Sequence, residues 1–206
     1  MKNIIIWEMD NDLTKGAFKQ LEEEQVIKII AWFRTKDEFK KSKSDIYPKQ
    51  YFWQDVIEKE FIRNDFAYCP EDIYNKIYEK TYLLMDLFAR SVELEGCNIH
   101  DFLNIINMYA NSFYSFLKRE KVDVIFFGSV PHEGPNYLVY IIAKILDIKT
   151  IIMLQSIFPN KFHYCYDIND FGEFNNVSNY QKVYEKCEIS NEYEKNLFYM
   201  EKNYEK

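Results

Sequence analysis

The sequence predicts an α/β fold: an open, mostly parallel sheet flanked by helices, with a long helical hairpin inserted between two strand pairs. Three observations carry that expectation. The β-branched runs Lys2 to Trp7 and Val26 to Phe33 flank a helix-like segment, the pattern of a βαβ unit whose strands are buried on both faces. A second pair, Asp123 to Val130 and Lys149 to Leu154, flanks an apolar segment at Pro135 to Leu146, a crossover of the length that joins parallel neighbours. Between the pairs lie two long segments with apolar residues at three- and four-residue steps, the spacing of amphipathic helices.

The first strand, KNIIIW, is followed by Glu8, Asp10 and Asp12. Ligands of open α/β sheets bind beyond the carboxyl ends of the strands, so these acids would face the crevice, where a carboxylate accepts hydroxyl donors or acts as a base. The competing and favoured reading is that Asp10 or Asp12 caps the helix that starts near Leu13. That helix, Leu13 to Gln25, sets Leu13, Ala17, Phe18 and Leu21 on one face and is weakened by Gly16. Val26 to Phe33 completes the unit. From Arg34 to Ala67 periodicity is poor. Pro48, the polar tract Lys36 to Lys43 and the aromatic cluster Tyr51-Phe52-Trp53 suggest a short helix, a loop and a strand, read as solvated surface without chemistry.

Pro70 opens the first arm of the hairpin, with Glu71 and Asp72 suited to the positive helix end. Ile73, Ile77, Tyr78, Leu84, Leu87 and Phe88 continue it as one helix to about Glu95, and Gly96-Cys97-Asn98 stops it. The second arm, Ile99 to Glu120, has Phe102, Ile105, Ile106, Tyr109, Phe113, Phe116 and Leu117 on its inner face, with Lys118 and Arg119 at the carboxyl end. The hairpin either covers a sheet face or projects over the crevice. The strand Asp123 to Val130 closes at Pro131, and the helix after it is apolar on nearly every side, as expected between a sheet and other helices. Beyond Leu154, QSIFPNKFHYCYDINDFGEF shows neither period and reads as a long loop of the functional kind. Tyr180 to Lys206 reads as a charged, Tyr-rich helix.

Composition narrows the function. A chain of 206 residues suits one well-buried domain. Seventeen Tyr and 17 Phe imply either half-buried rings with wet hydroxyls or a groove for a polar ligand with an apolar face, such as a sugar. A net charge of −7, with no basic cluster of useful size, argues against nucleic acid as the main partner, which needs clustered positive surface. Cys69, Cys97, Cys165 and Cys187 form no C-x-x-C pair, so no zinc site, redox dithiol or other metal set is expected. With the first strand at Lys2 and no bilayer-length apolar run, the expectation is a cytoplasmic chain with reduced thiols.

The expected site joins the loop Gly128-Ser129-Val130-Pro131-His132-Glu133-Gly134 to the one opening at Gln155-Ser156, because both leave neighbouring parallel strands. His132 and Glu133 are the catalytic candidates. The backbone N–H groups where the Gly134-Pro135 helix begins favour an anionic or polyhydroxylated ligand. The competing reading bonds His132 to its own loop backbone. Glu8, Ser129, Gly134, Gln155, Ser156 and His163 complete the set as substrate-binding candidates; His100 reads as a capping or surface residue. GSVPHEG is neither a G-x-S-x-G elbow nor a Walker loop, and a hydrolase using Ser129 and His132 would need a carboxylate to orient the histidine. No G-x-G-x-x-G follows Trp7, which disfavours a dinucleotide.

The segment from Phe126 to Phe174 resembles one in bacterial surface-polysaccharide proteins, particularly GT-B-like glycosyltransferases of capsule biosynthesis with two Rossmann-like domains. The likeness rests on Ser129-Val130-Pro131-His132, Phe158-Pro159-Asn160-Lys161-Phe162 and Asp167-Ile168-Asn169-Asp170-Phe171, about a quarter of the chain, with the Ile4 to Trp7 strand in support. It implies a Rossmann-like sheet, residues 1–206 forming a single amino-terminal, acceptor-side domain, and His132 or Glu133 as general base toward a sugar hydroxyl. It further implies no cofactor in this domain, a nucleotide-sugar donor held by a second half, a glycan acceptor, and peripheral association with inner-membrane assembly machinery. The alternative is a non-catalytic α/β binding or scaffold domain of a polysaccharide assembly complex, its Tyr-rich helices forming a protein interface.

Overall fold

The computed structural model describes residues 1–9, 12–34, 50–51, 53–90, 96–155 and 162–170. Six strands form one sheet: β1 (Lys2–Trp7), β2 (Ile27–Phe33), β3 (Gln50–Tyr51), β4 (Val124–Phe127), β5 (Lys149–Gln155) and β6 (Phe162–Cys165), in the order β3-β2-β1-β4-β5-β6. With only two residues, β3 is a minimal edge; the five longer strands make an open sheet, parallel throughout except where β6 runs antiparallel to β5. Among the described residues six α-helices flank it: α1 (Asp12–Glu23), α2 (Trp53–Phe61), α3 (Glu71–Tyr78), α4 (Thr81–Ala89), α5 (Ile99–Arg119) and α6 (Gly134–Ile145).

The central strands are apolar runs because both faces are covered. Ile4 and Ile6 pack with Phe18 of α1, whereas Ile5 and Trp7 join the larger core built with α2 to α6. Strand β2 departs from simple alternation. Ile4 pairs with Ile29 but Ile5 pairs with Ala31, so Ile30 is an inserted residue, and a bulge of this kind shifts every later side chain to the other face. Trp32 thereby turns toward α1, where Phe18 meets it edge-on at 5.9 Å, and Phe33 turns to the opposite face, 4.6 Å from Trp7.

Helix α5 begins at a capping box: the Asn98 side chain accepts from the backbone N–H of His100 and Asp101, and Asp101 accepts from the Asn98 N–H. Its inner stripe lies against the sheet core, Phe113 meeting both Trp7 and Phe33. The hairpin therefore covers a sheet face. Its first arm is not one helix to Glu95 but two, α3 and α4, and residues 91–95 lie outside those described. At the inner position following Ile77 the stripe supplies Thr81, whose hydroxyl donates to the Tyr78 carbonyl at 2.7 Å; the side chain competes for the backbone just where apolar packing lapses. Strand β4 ends at Phe127, earlier than expected. Strand β6 and its antiparallel pairing lie in what the periodicity presents as loop, and Tyr180 to Lys206 falls outside the described residues. Among those described, no helix is long and apolar enough to cross a membrane.

Across the amino edge of the sheet, Asp123 accepts from the Asn3 backbone N–H at 2.8 Å and the Lys2 ammonium at 3.1 Å, while the Asn3 amide donates to the carbonyls of Glu120 and Lys121. The backbone donor, then the ammonium, hold the Asp123 carboxyl below its ordinary value. A group whose pKa is lowered by folding contributes stability above its unfolded pKa and loses it as the pH falls through the folded one. Asp123→Asn is thus expected to lower the melting temperature at neutral pH and to narrow the gap from the parent as the pH falls below about 4. A constant gap across that range would show that the ionised form is not what matters.

Candidate functional site

Strand β1 has β2 on one side and β4 on the other, so the order reverses beside β1 and the crevice of such a sheet opens between the β1 and β4 exits. The sequence expectation joined the β4 exit to the β5 exit instead. Those strands are parallel neighbours, with Phe127 level with Ile152, but the reversal lies one strand over. Glu8 therefore moves to the centre of the rim and Gln155, the last residue of β5, to its flank.

The two central turns interlock through their backbones. The Glu8 N–H donates to the Phe33 carbonyl at 3.0 Å and the Gly128 N–H to the Trp7 carbonyl at 2.8 Å. Glu8 itself is left-handed, with φ 55°, a conformation that costs a non-glycine residue and persists only where surroundings enforce it. Gly128 passes so close beneath it that a Cβ there would sit 2.0 Å from the Glu8 carbonyl oxygen. Only glycine allows that crossing.

Past Gly128, the half-buried Ser129 leads to Val130 and a buried Pro131, and His132 stands exposed. Its Nδ1 lies 2.7 Å from the Val130 carbonyl oxygen. A carbonyl only accepts, so Nδ1 carries a proton, and in the neutral ring Nε2 is then the accepting nitrogen. The loop-bonded reading of His132 and the base reading are thus compatible: the backbone bond occupies Nδ1 and leaves Nε2 as the nitrogen that can take a proton. Because Val130 holds the ring, no carboxylate orients it among the described residues, and the Ser129 and His132 hydrolase lacks its third member.

Glu133 is the N-cap of α6, in extended conformation, and its N–H donates to Oδ1 of the buried Asn136 at 2.8 Å. Gly134 follows, buried against Phe88, whose ring atoms begin 2.5 Å from where a Cβ would be. The α6 end is thereby pinned to α4. His163 lies opposite Leu154 in the β5–β6 pair and is exposed, two strands out from β4. Asp10 and Ser156 lie outside the described residues, and Asp12 is the first residue of α1. The structure thus brings Glu8 against Gly128, at the head of the Ser129 to Gly134 loop; Gln155 and His163 stand farther along the sheet.

Arg34 went unnoticed in the sequence, where it opened the region assigned to solvated surface. It is 2% exposed and directly follows Phe33, whose carbonyl receives the Glu8 N–H. A buried guanidinium at this rim is a positive group where the fold places ligands. The only signal is a cation immediately after an unbroken apolar strand.

The Asp167-Ile168-Asn169-Asp170 motif sits at the other end of the sheet, since β6 runs antiparallel and leaves toward the start of β5. There the Thr150 hydroxyl donates to the Tyr166 carbonyl at 2.6 Å, and Lys144 pairs with Asp167 at 2.9 Å. Burial raises the Asp167 carboxyl, but the Asn169 backbone N–H, then Lys144 and the Tyr140 hydroxyl, outweigh it and hold the carboxyl below its usual range. Burial pushes the Tyr140 hydroxyl up to about 12, so it stays a neutral donor. This is a clamp between α6 and β6, not part of the rim.

Among the described residues, no group of His, Cys, Asp and Glu is arranged to hold a metal ion. No family model, curated protein or solved structure matches the chain.

Proposed function

We propose that this domain binds a glycan acceptor at the rim between the β1 and β4 exits and serves as the acceptor side of a glycosyl transfer in bacterial surface-polysaccharide assembly. The observation that supports the reading is the His132 ring, fixed by Val130 at Nδ1 with Nε2 free to take a proton from a sugar hydroxyl. Glu8 supplies a carboxylate at the β1 exit of the same rim, and the positive end of α6 suits hydroxyl or anionic oxygens. The donor nucleotide sugar is taken by a second α/β half, so this chain alone binds acceptor without turnover.

Calorimetry with a capsular oligosaccharide, and separately with a UDP-sugar, tests this. The oligosaccharide is expected to bind and the UDP-sugar not to. His132→Ala is expected to weaken the oligosaccharide about tenfold, the loss of one good hydrogen bond. Binding indifferent to His132→Ala and to Glu8→Gln would remove the rim from consideration.

A further inference from the structure

We propose that the groove between α2 and α5 docks a basic amphipathic helix of a partner protein, independently of the rim site. The groove has a volume of about 390 Å³ and is lined by Ile57 and Phe61, one turn apart on α2, by Met108 and Tyr109 on α5, and by Glu58 as its charged wall. Its floor, Ile57 and Tyr109, is packed into the core. Its walls are open: Phe61 is 48% and Met108 37% exposed. Aromatic surface continues outward from Phe61, whose ring lies 5.1 Å from Phe66, itself 5.1 Å from the exposed Tyr68. Ile62 beside them is 83% exposed. A continuous apolar stretch of this kind in water marks an interaction surface rather than scattered exposure.

Shape and charge select the occupant. Two helices form the walls, so the ridge of a third fits between them, its apolar side chains at i and i+4 meeting Phe61 and the adaptable Met108. Asp55 and Glu58, one turn apart on α2, carry no ion pair among the described residues. The neighbouring charges are already engaged: Glu60 with Arg119, Arg63 with Asp65, and Lys59, the one cation of α2, with an interaction of its own. The groove therefore presents uncompensated negative charge on a chain of net charge −7, which an apolar stripe bordered by Lys or Arg complements. A second copy would set this acidic edge against itself, and an anionic lipid surface would be repelled.

The test is fluorescence anisotropy of a labelled Leu/Lys amphipathic helical peptide with the full chain, against a Leu/Glu peptide of the same pattern. The Leu/Lys peptide is expected to saturate and the Leu/Glu peptide to bind at least about tenfold more weakly. Glu58→Lys and Phe61→Ser are each expected to weaken the Leu/Lys peptide about tenfold with unchanged circular dichroism, and Tyr82→Ser, exposed on α4, to leave it unaltered. Glu58 is a surface residue, so its variant keeps the test decisive if Phe61→Ser unfolds. Equal binding of both peptides, or binding unmoved by Glu58→Lys, overturns the proposal. So does self-association of the chain that Phe61→Ser abolishes, or Phe61-dependent binding to phosphatidylcholine vesicles in place of the peptide; these reassign the surface to a second copy or to lipid.

Discussion

Gly128→Ala is expected to destabilise the fold by about 3 kcal/mol, a large effect for a single methyl group. The added Cβ would stand 2.0 Å from the Glu8 carbonyl oxygen and 2.7 Å from Cγ of Met9. The methionine can swing away. The carbonyl cannot, because the Glu8 N–H is held by Phe33 and the Trp7 carbonyl by Gly128 itself. Relief requires the β1 and β4 exits to separate, so the same variant should also weaken any rim ligand. Gly128 is not left-handed, which makes crowding the whole of the effect. Gly16 provides the contrast: it lies inside α1 with nothing within 4 Å of a built Cβ, and alanine there should stabilise by roughly 0.5–1 kcal/mol. Urea unfolding of both variants measures the pair. A loss under about 1 kcal/mol for Gly128→Ala would mean that the turns are not locked together.

Arg119→Ala is expected to cost about 3–5 kcal/mol, because it strands the Glu60 carboxylate in the core. Only 4% of the Glu60 side chain is exposed, and Arg119 from α5 pairs with it directly. Without the guanidinium, the hydrogen bond left to Glu60 among the described residues is from the Ser115 hydroxyl, which donates at 3.3 Å. Combining Glu60→Gln with Arg119→Met should restore most of the stability, since neither charge then needs a partner. The double-mutant cycle is the measurement. Additive losses would show that Arg119 acts through its packing over Phe116, 5.4 Å from the ring centroid, and not through its charge. The pair joins α2 to α5 at Glu60, the residue before the groove-lining Phe61, so the groove should keep its shape in the double variant and lose it in Arg119→Ala.

Strands β1, β2, β4 and β5 were legible because burial on both faces leaves an unbroken apolar run. Strand β6 was not: its Tyr164 and His163 are exposed at a sheet edge, where no face demands alternation strongly enough to show. The Ile30 bulge was equally hidden, since a run apolar at every position reads the same with or without an inserted residue. The α3–α4 break had a faint mark in Thr81, a hydroxyl on an otherwise apolar stripe. At the site, Glu8 and His132 were found as polar residues at strand exits, whereas Arg34 merged into a charged stretch of the same composition.

Periodicity and composition by themselves determined the layers of this protein, its parallel strands and the exits where polar groups gather, because each is written within one short segment. Which exits face each other was decided by tertiary structure alone. The Asn3 to Asp123 contact spans 120 residues, and an apolar run carries no record of the strand it will lie beside. Only when β4 inserted next to β1, with Gly128 thin enough to pass under Glu8, did the rim acquire its two sides.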